Sequence, residues 1–160
     1  MNRALVAGLV AVLAAAAPLM AMASERFAGL APCALCLWQR WPYWVAAALA
    51  ALAVAWPGGR RWLLVLAGLA VLASAGVAVM HVGVEQGLWP SPLAACQAAT
   101  SGGAMSIDDM LAAMAPRPAK PCDEPAYLIP GLPVSMAAMN LIYALALAGF
   151  AFTGARRRIS

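Results

Sequence analysis

Cys33 and Cys36 stand in the run Pro32-Cys33-Ala34-Leu35-Cys36-Leu37-Trp38-Gln39-Arg40, at the edge of an apolar stretch. Thiols at this spacing can close and reopen a disulfide, and beside a membrane span they lie within reach of lipid-soluble electron carriers. In a helix Cys33, Cys36 and Arg40 share one face. The Arg40 guanidinium can then approach the Cys36 sulfur. A nearby cation and a helix N-terminus both favour the thiolate, which is the reactive form in disulfide exchange. The same positive charge could stabilise an oxygen anion on a reduced carrier. The remaining cysteines, Cys96 and Cys122, fall in the one long polar stretch, with twenty-five residues between them. A CxxC pair alone also serves zinc sites and static bridges. Zinc is disfavoured because Cys96 and Cys122 lack short ligand spacing and an oxidising compartment opposes free thiolates. Purely structural disulfides remain an open reading, as does Arg40 as a snorkelling interfacial charge.

The elements that must position these groups are membrane helices. Of 160 residues, 65% are hydrophobic and 10% charged, where a soluble domain carries about 25% charged residues. Such a chain exposes apolar surface to lipid. The net charge of +4 sits in short end clusters rather than a broad patch, which argues against nucleic acid as a partner. Four stretches reach the roughly 20 apolar residues that a span needs: Ala4 to Ala23, about Leu37 to Trp56, Trp62 to about Val82, and about Val134 to Thr153. Each must be helical to satisfy its own backbone in lipid. The expected fold is an all-α integral membrane protein, a four-helix transmembrane bundle forming a single domain over 1–160. Its loops cover about 24–36 and 83–133, the long one lying between helices 3 and 4.

Charge asymmetry orients the bundle. Arg3, Arg60, Arg61 and Arg156-Arg157-Arg158 fall on one side, with no acid among them; Arg26, Arg40, Arg117, Lys120 and all six acids, including Glu25 and Glu85, fall on the other. The positive-inside rule puts both termini in the cytoplasm. All four cysteines then face the opposite compartment, the periplasm of a bacterium, where disulfides persist. The first stretch also resembles a signal peptide, ending Ala21-Met22-Ala23 before Ser24, but it is longer than a usual apolar core, which favours a retained helix. Pro42 cannot start the second helix: only 15 residues would remain to Trp56, about 22 Å at 1.5 Å each. Helix is therefore expected to begin before Pro42 and kink near it, with Trp38, Trp41, Tyr43 and Trp44 as an interfacial belt. Pro57-Gly58-Gly59 makes a tight antiparallel connection. In the proline-rich loop a short helix is expected over Ser106 to Met114, with Asp108 and Asp109 in its first turn.

These residues resemble the disulfide bond formation protein B (DsbB) family over nearly the whole chain. The resemblance rests on the CxxC run with Arg40, on His81 followed by Trp89-Pro90-Ser91-Pro92 and Cys96, and on Pro121-Cys122-Asp123-Glu124 and the Gly131-Leu132 entry to span four. Gln39 stands where an acidic residue is expected, and Pro42 is extra. The resemblance implies a thiol–quinone oxidoreductase of the inner membrane. Cys96 and Cys122 would oxidise a periplasmic thioredoxin-like dithiol protein of the DsbA type, with Cys96 forming the mixed disulfide. Cys33 would meet Cys122 in an interloop disulfide, and Cys36, facing Arg40, would pass electrons to ubiquinone or menaquinone from the membrane pool. His81 is expected to line the quinone pocket, with an interfacial histidine as the alternative. A dedicated variant serving one client, and a non-enzymatic scaffold with static disulfides, are the competing functions. A heme or metal protein is disfavoured by the single histidine and the lack of CxxCH.

Overall fold

The computed structural model describes residues 2–93, 96, 121–129 and 131–156. Among them lie four helices and no strand: α1 Arg3–Ala28, α2 Ala34–Ala55, α3 Arg60–Glu85 and α4 Met136–Arg156. The short helix expected over Ser106 to Met114 lies outside the described residues, as do Arg157 and Arg158.

Local chemistry sets each boundary. The Asn2 side chain accepts from Leu5 N, capping α1. That helix continues past Ala23 through Glu25 and Arg26, and stops at Gly29, whose φ of 65° and N–H bond to the Ser24 carbonyl make a left-handed cap. α2 begins at Ala34 and runs through Pro42, so the helix starts before the proline as expected. Its C-terminal carbonyls on Ala53 and Val54 accept from Arg60 Nε and Nη2, at 2.8 and 3.1 Å. Ser135 opens α4 by accepting from Ala138 N at 3.2 Å.

α2 packs on both α1 and α3, and α4 packs chiefly on α3. The shared core is rich in small side chains: Ala7, Ala14, Ala46, Ala50, Ala67, Ala148 and Ala151 are all buried. Small residues let helix backbones approach where no hydrophobic effect operates between lipid-bathed helices. Gly68 on α3 faces Phe152 on α4, and Gly154 on α4 faces Val6 on α1; a Cβ on either glycine would collide with its neighbour.

Three helices, α1, α3 and α4, are long and apolar enough to cross a membrane. α2, with 22 residues, is long enough at about 33 Å. Gln39, Arg40, Pro42 and its aromatic belt make its first half more polar than the other helices. The chain is a helical membrane protein whose least apolar helix carries the CxxC pair.

Candidate functional site

The site is built on the first turn of α2. Cys33 is its N-cap: Cys33 Sγ accepts from Cys36 N at 3.2 Å. This geometry turns the Cys36 side chain back toward Cys33, and the two sulfurs stand 2.7 Å apart. A small movement and the removal of two electrons and two protons would join them. Cys33 is buried and Cys36 partly so, and both are free thiols. The pair shares a proton unequally. Cys36 is held below the ordinary thiol value, at about 7, first by the thiol of Cys33 donating to it, with the Arg40 charge also contributing against the cost of burial. Cys33 is pushed up, first because it is that donor, then by burial and by the charge on Cys36.

Cys96 and Cys122 form a disulfide with Cα atoms 4.9 Å apart. The bridge packs into one buried cluster with Cys33, Ala34, Leu35 and Val84, and Cys36 lies against the same cluster. All four sulfurs, far apart in sequence, therefore meet at one end of the bundle. Beyond the end of α3, Trp89 folds back on that helix: its indole N–H donates to the Met80 carbonyl at 3.0 Å, and its ring fills the space over Gly83.

On one side of the cluster a cavity of about 420 Å³ opens between α1, α2 and α4. Its polar lining includes Glu25, Cys36, Gln39, Arg40, Tyr43 and Asn140, and alanines, prolines and methionines make up most of the rest. Arg40 lines it together with Cys36. Its guanidinium, however, donates to the Glu25 carboxylate of α1, an acid that sequence reasoning had counted only as loop charge. Arg40 Nε is buried without a hydrogen-bond partner. A buried donor left unmatched marks a place where a ligand oxygen would be welcome.

His81 is not among the residues lining this cavity. It is buried on the sulfur cluster, with Nε2 3.5 Å from Cys33 Sγ and Nδ1 2.9 Å from Gln39 Nε2. Glu85, one helical turn on, has Oε1 3.8 Å from His81 Nε2, and its Oε2 accepts from Ser135 at 2.5 Å. Cys33, Cys36 and His81 are close enough to share a metal ion. Sequence reasoning missed the polar group behind His81: Ser74 on α3 and Asn140 on α4, linked through Gln39 and Tyr43. Their signal was present in the sequence, since uncharged polar side chains inside membrane helices seldom lack a partner or a role.

The fold and the sulfur cluster define a membrane thiol–disulfide protein, with two cysteine pairs arranged as a redox relay would need. A family model described as "Disulfide bond formation protein DsbB" matches residues 3–154, and the chain belongs to that family. Searches of curated proteins and of solved structures returned no match.

Proposed function

We propose that the protein is a thiol–quinone oxidoreductase that reoxidises a periplasmic thioredoxin-like dithiol oxidase of the DsbA type. The observation that carries this reading is the packing of the Cys96–Cys122 bridge on Cys33, with Cys36 facing a cavity that also holds Arg40. One pair is linked to the polar loop where a protein partner can dock; the other opens on the membrane interior.

In this reading the partner's thiolate attacks Cys96, and Cys122 leaves. Resolution of the mixed disulfide oxidises the partner and leaves Cys96 and Cys122 reduced. Cys122 then attacks Cys33 of an oxidised Cys33–Cys36 pair, releasing Cys36 as a thiolate. Cys96 attacks Cys122, restores their bridge and frees Cys33. Two electrons and two protons now sit on Cys33 and Cys36; two free thiols beside an intact Cys96–Cys122 bridge are compatible with that stage. A quinone accepts them and leaves as quinol. The cavity volume falls in the usual range for small-molecule sites, and its apolar walls suit ubiquinone or menaquinone. Arg40 Nε would donate to a carbonyl oxygen and hold the developing oxygen anion.

The topology consistent with this reading makes α2 a fourth span from about Leu37. Arg3, Arg60, Arg61 and Arg156 then lie on the cytoplasmic side of the inner membrane, and the sulfurs on the periplasmic side. The test is a stopped-flow assay of quinone reduction by the full-length protein with a reduced thioredoxin-like donor. Two-electron quinone reduction that is lost in Cys33→Ser and Cys36→Ser is the expected result. A wild-type protein that consumes no quinone would leave only static disulfides.

A further inference from the structure

The ring nitrogen of His81 that faces the sulfurs has its protonation decided some distance away, at Ser74. Ser74 Oγ lies 2.9 Å from the Gln39 backbone carbonyl. A carbonyl has no hydrogen to give, so the single hydroxyl proton of Ser74 is committed to it. Ser74 Oγ therefore presents only lone pairs to the side-chain atom of Asn140 that stands 3.3 Å away, and that atom must be Nδ2. The same Nδ2 is 2.7 Å from a Gln39 side-chain atom, which must then be the acceptor Oε1. Asn140 Oδ1 receives the Tyr43 hydroxyl at 2.7 Å, consistent with this sense. With Oε1 turned to Asn140, Gln39 offers Nε2 to His81, 2.9 Å from Nδ1. Nδ1 is thereby the acceptor, and the imidazole proton resides on Nε2.

The surroundings of Nε2 agree independently. It faces Cys33 Sγ at 3.5 Å and the Glu85 carboxylate at 3.8 Å. The carboxylate accepts, and the Cys33 sulfur, whose proton is turned toward Cys36, offers Nε2 a lone pair. A protonated Nε2 also makes His81 unfit as a metal ligand, although its distance to the two thiols would permit one.

We infer that Ser74, Asn140 and Gln39 form a polarity-setting chain that holds His81 as a fixed Nε2–H donor to Cys33, so that Cys33 leaves Cys122 as a stabilised thiolate. The step it serves is internal exchange and rests on the reading above. Cys96 thiolate attacks Cys122 Sγ, the Cys96–Cys122 bond forms, the Cys33–Cys122 bond breaks, and the negative charge moves from Cys96 to Cys33 with no net oxidation. A hydrogen bond to a charged sulfur is stronger than one to a neutral sulfur, so the donor acts as charge arrives. Gln39, Asn140 and Ser74 are positioning residues; of these four side chains His81 alone touches the reacting sulfur. An acidic residue at position 39 would accept from both sides and impose the opposite tautomer, with the proton on Nδ1. The amide at this position is therefore the device on which the chain turns.

His81 is the sole histidine, so histidine-selective ¹⁵N labelling of the full-length reduced protein in nanodiscs reads one imidazole without interference. The expected spectrum shows a pyrrole-type Nε2 and a pyridine-type Nδ1 near neutral pH; in Gln39→Glu, Nδ1 becomes pyrrole-type. A wild-type Nδ1–H tautomer, a mixture of tautomers, or an unchanged Nδ1 in Gln39→Glu overturns the inference. A second measurement needs neither quinone nor partner protein. In a Cys36→Ser background the Cys33–Cys122 bridged form is isolated in acid, the pH is raised, and the freed Cys33 is captured by a maleimide. Adding Gln39→Leu should slow that release about tenfold, and an unchanged rate overturns the role assigned to the chain. Failure of quinone reduction with the expected spectrum would sink the oxidoreductase reading and leave the tautomer standing.

Discussion

Glu25 of α1 and Arg40 of α2 form an ion pair at the wall of the cavity that Cys36 also lines. The positive charge nearest the reactive thiol is thus partly neutralised by a carboxylate from another helix. Glu25→Gln should leave Arg40 with its full field and draw the Cys36 titration midpoint below about 7. Iodoacetamide reactivity against pH measures the midpoint. An unmoved or raised midpoint would show that Glu25 does not temper the charge felt at Cys36.

The sign of the wild-type pH dependence follows from the thiol pair. Below about 7 Cys36 is protonated and unreactive; above it the thiolate accumulates. Alkylation should therefore rise roughly tenfold per pH unit on the acid side and level off above neutrality. Cys33→Ala removes the first cause of the lowering, so the midpoint should climb toward the ordinary 9.0 and reactivity at neutral pH should drop. A profile identical in the two proteins would mean that Cys33 does not share its proton.

Arg40→Ala should raise the quinone KM by about tenfold, equivalent to roughly 1.4 kcal/mol, while the protein remains inserted. Arg40→Lys should recover only part of the loss, because an ammonium lacks the planar donor fork and the Nε position. Steady-state quinone titrations check this. A KM unchanged in Arg40→Ala would remove Arg40 from the acceptor site.

Gly83→Ala should act on the disulfide rather than on the cavity. The new methyl would collide with the Trp89 ring, whose indole is bonded to the Met80 carbonyl, and overpacking of this kind costs about 1–3 kcal/mol. Displacing Trp89 loosens the chain leading through Pro90 and Pro92 to Cys96. Faster reduction of Cys96–Cys122 by a small dithiol, with Arg40 and Cys36 unaffected, is the expected outcome. Rates equal to wild type would show that Trp89 does not hold the bridge in place.

What was legible in the sequence was what spacing encodes. Cys33, Cys36 and Arg40 lie within one short helical run, and α2 does begin ahead of Pro42 because the thiol of Cys33 can cap it. The apolar stretches marked α1, α3 and α4, while Gln39, Arg40 and the aromatic belt make α2 the least apolar of the four. Glu25 was hidden because α1 outlasts its apolar core, carrying an acid into position against another helix. His81 was expected on the quinone pocket or as an interfacial histidine; only packing tells which side of α2 it meets, and the structure sets it against Cys33. Ser74 and Asn140 are polar singletons in alanine-rich sequence. Their meaning comes from contacts with Gln39 that span 35 and 101 positions, which no local periodicity can reveal.

The capping of α2 by a cysteine carries one last consequence. The sulfur that accepts the Cys36 amide is also the one expected to bond covalently with a neighbouring chain segment during turnover. Each time it does, its lone pairs are a poorer match for that amide, and the opening turn of the helix is less firmly fastened. Backbone order at Ala34 to Leu37 should thus rise and fall with the oxidation cycle, making amide exchange in four residues a clock for electron flow.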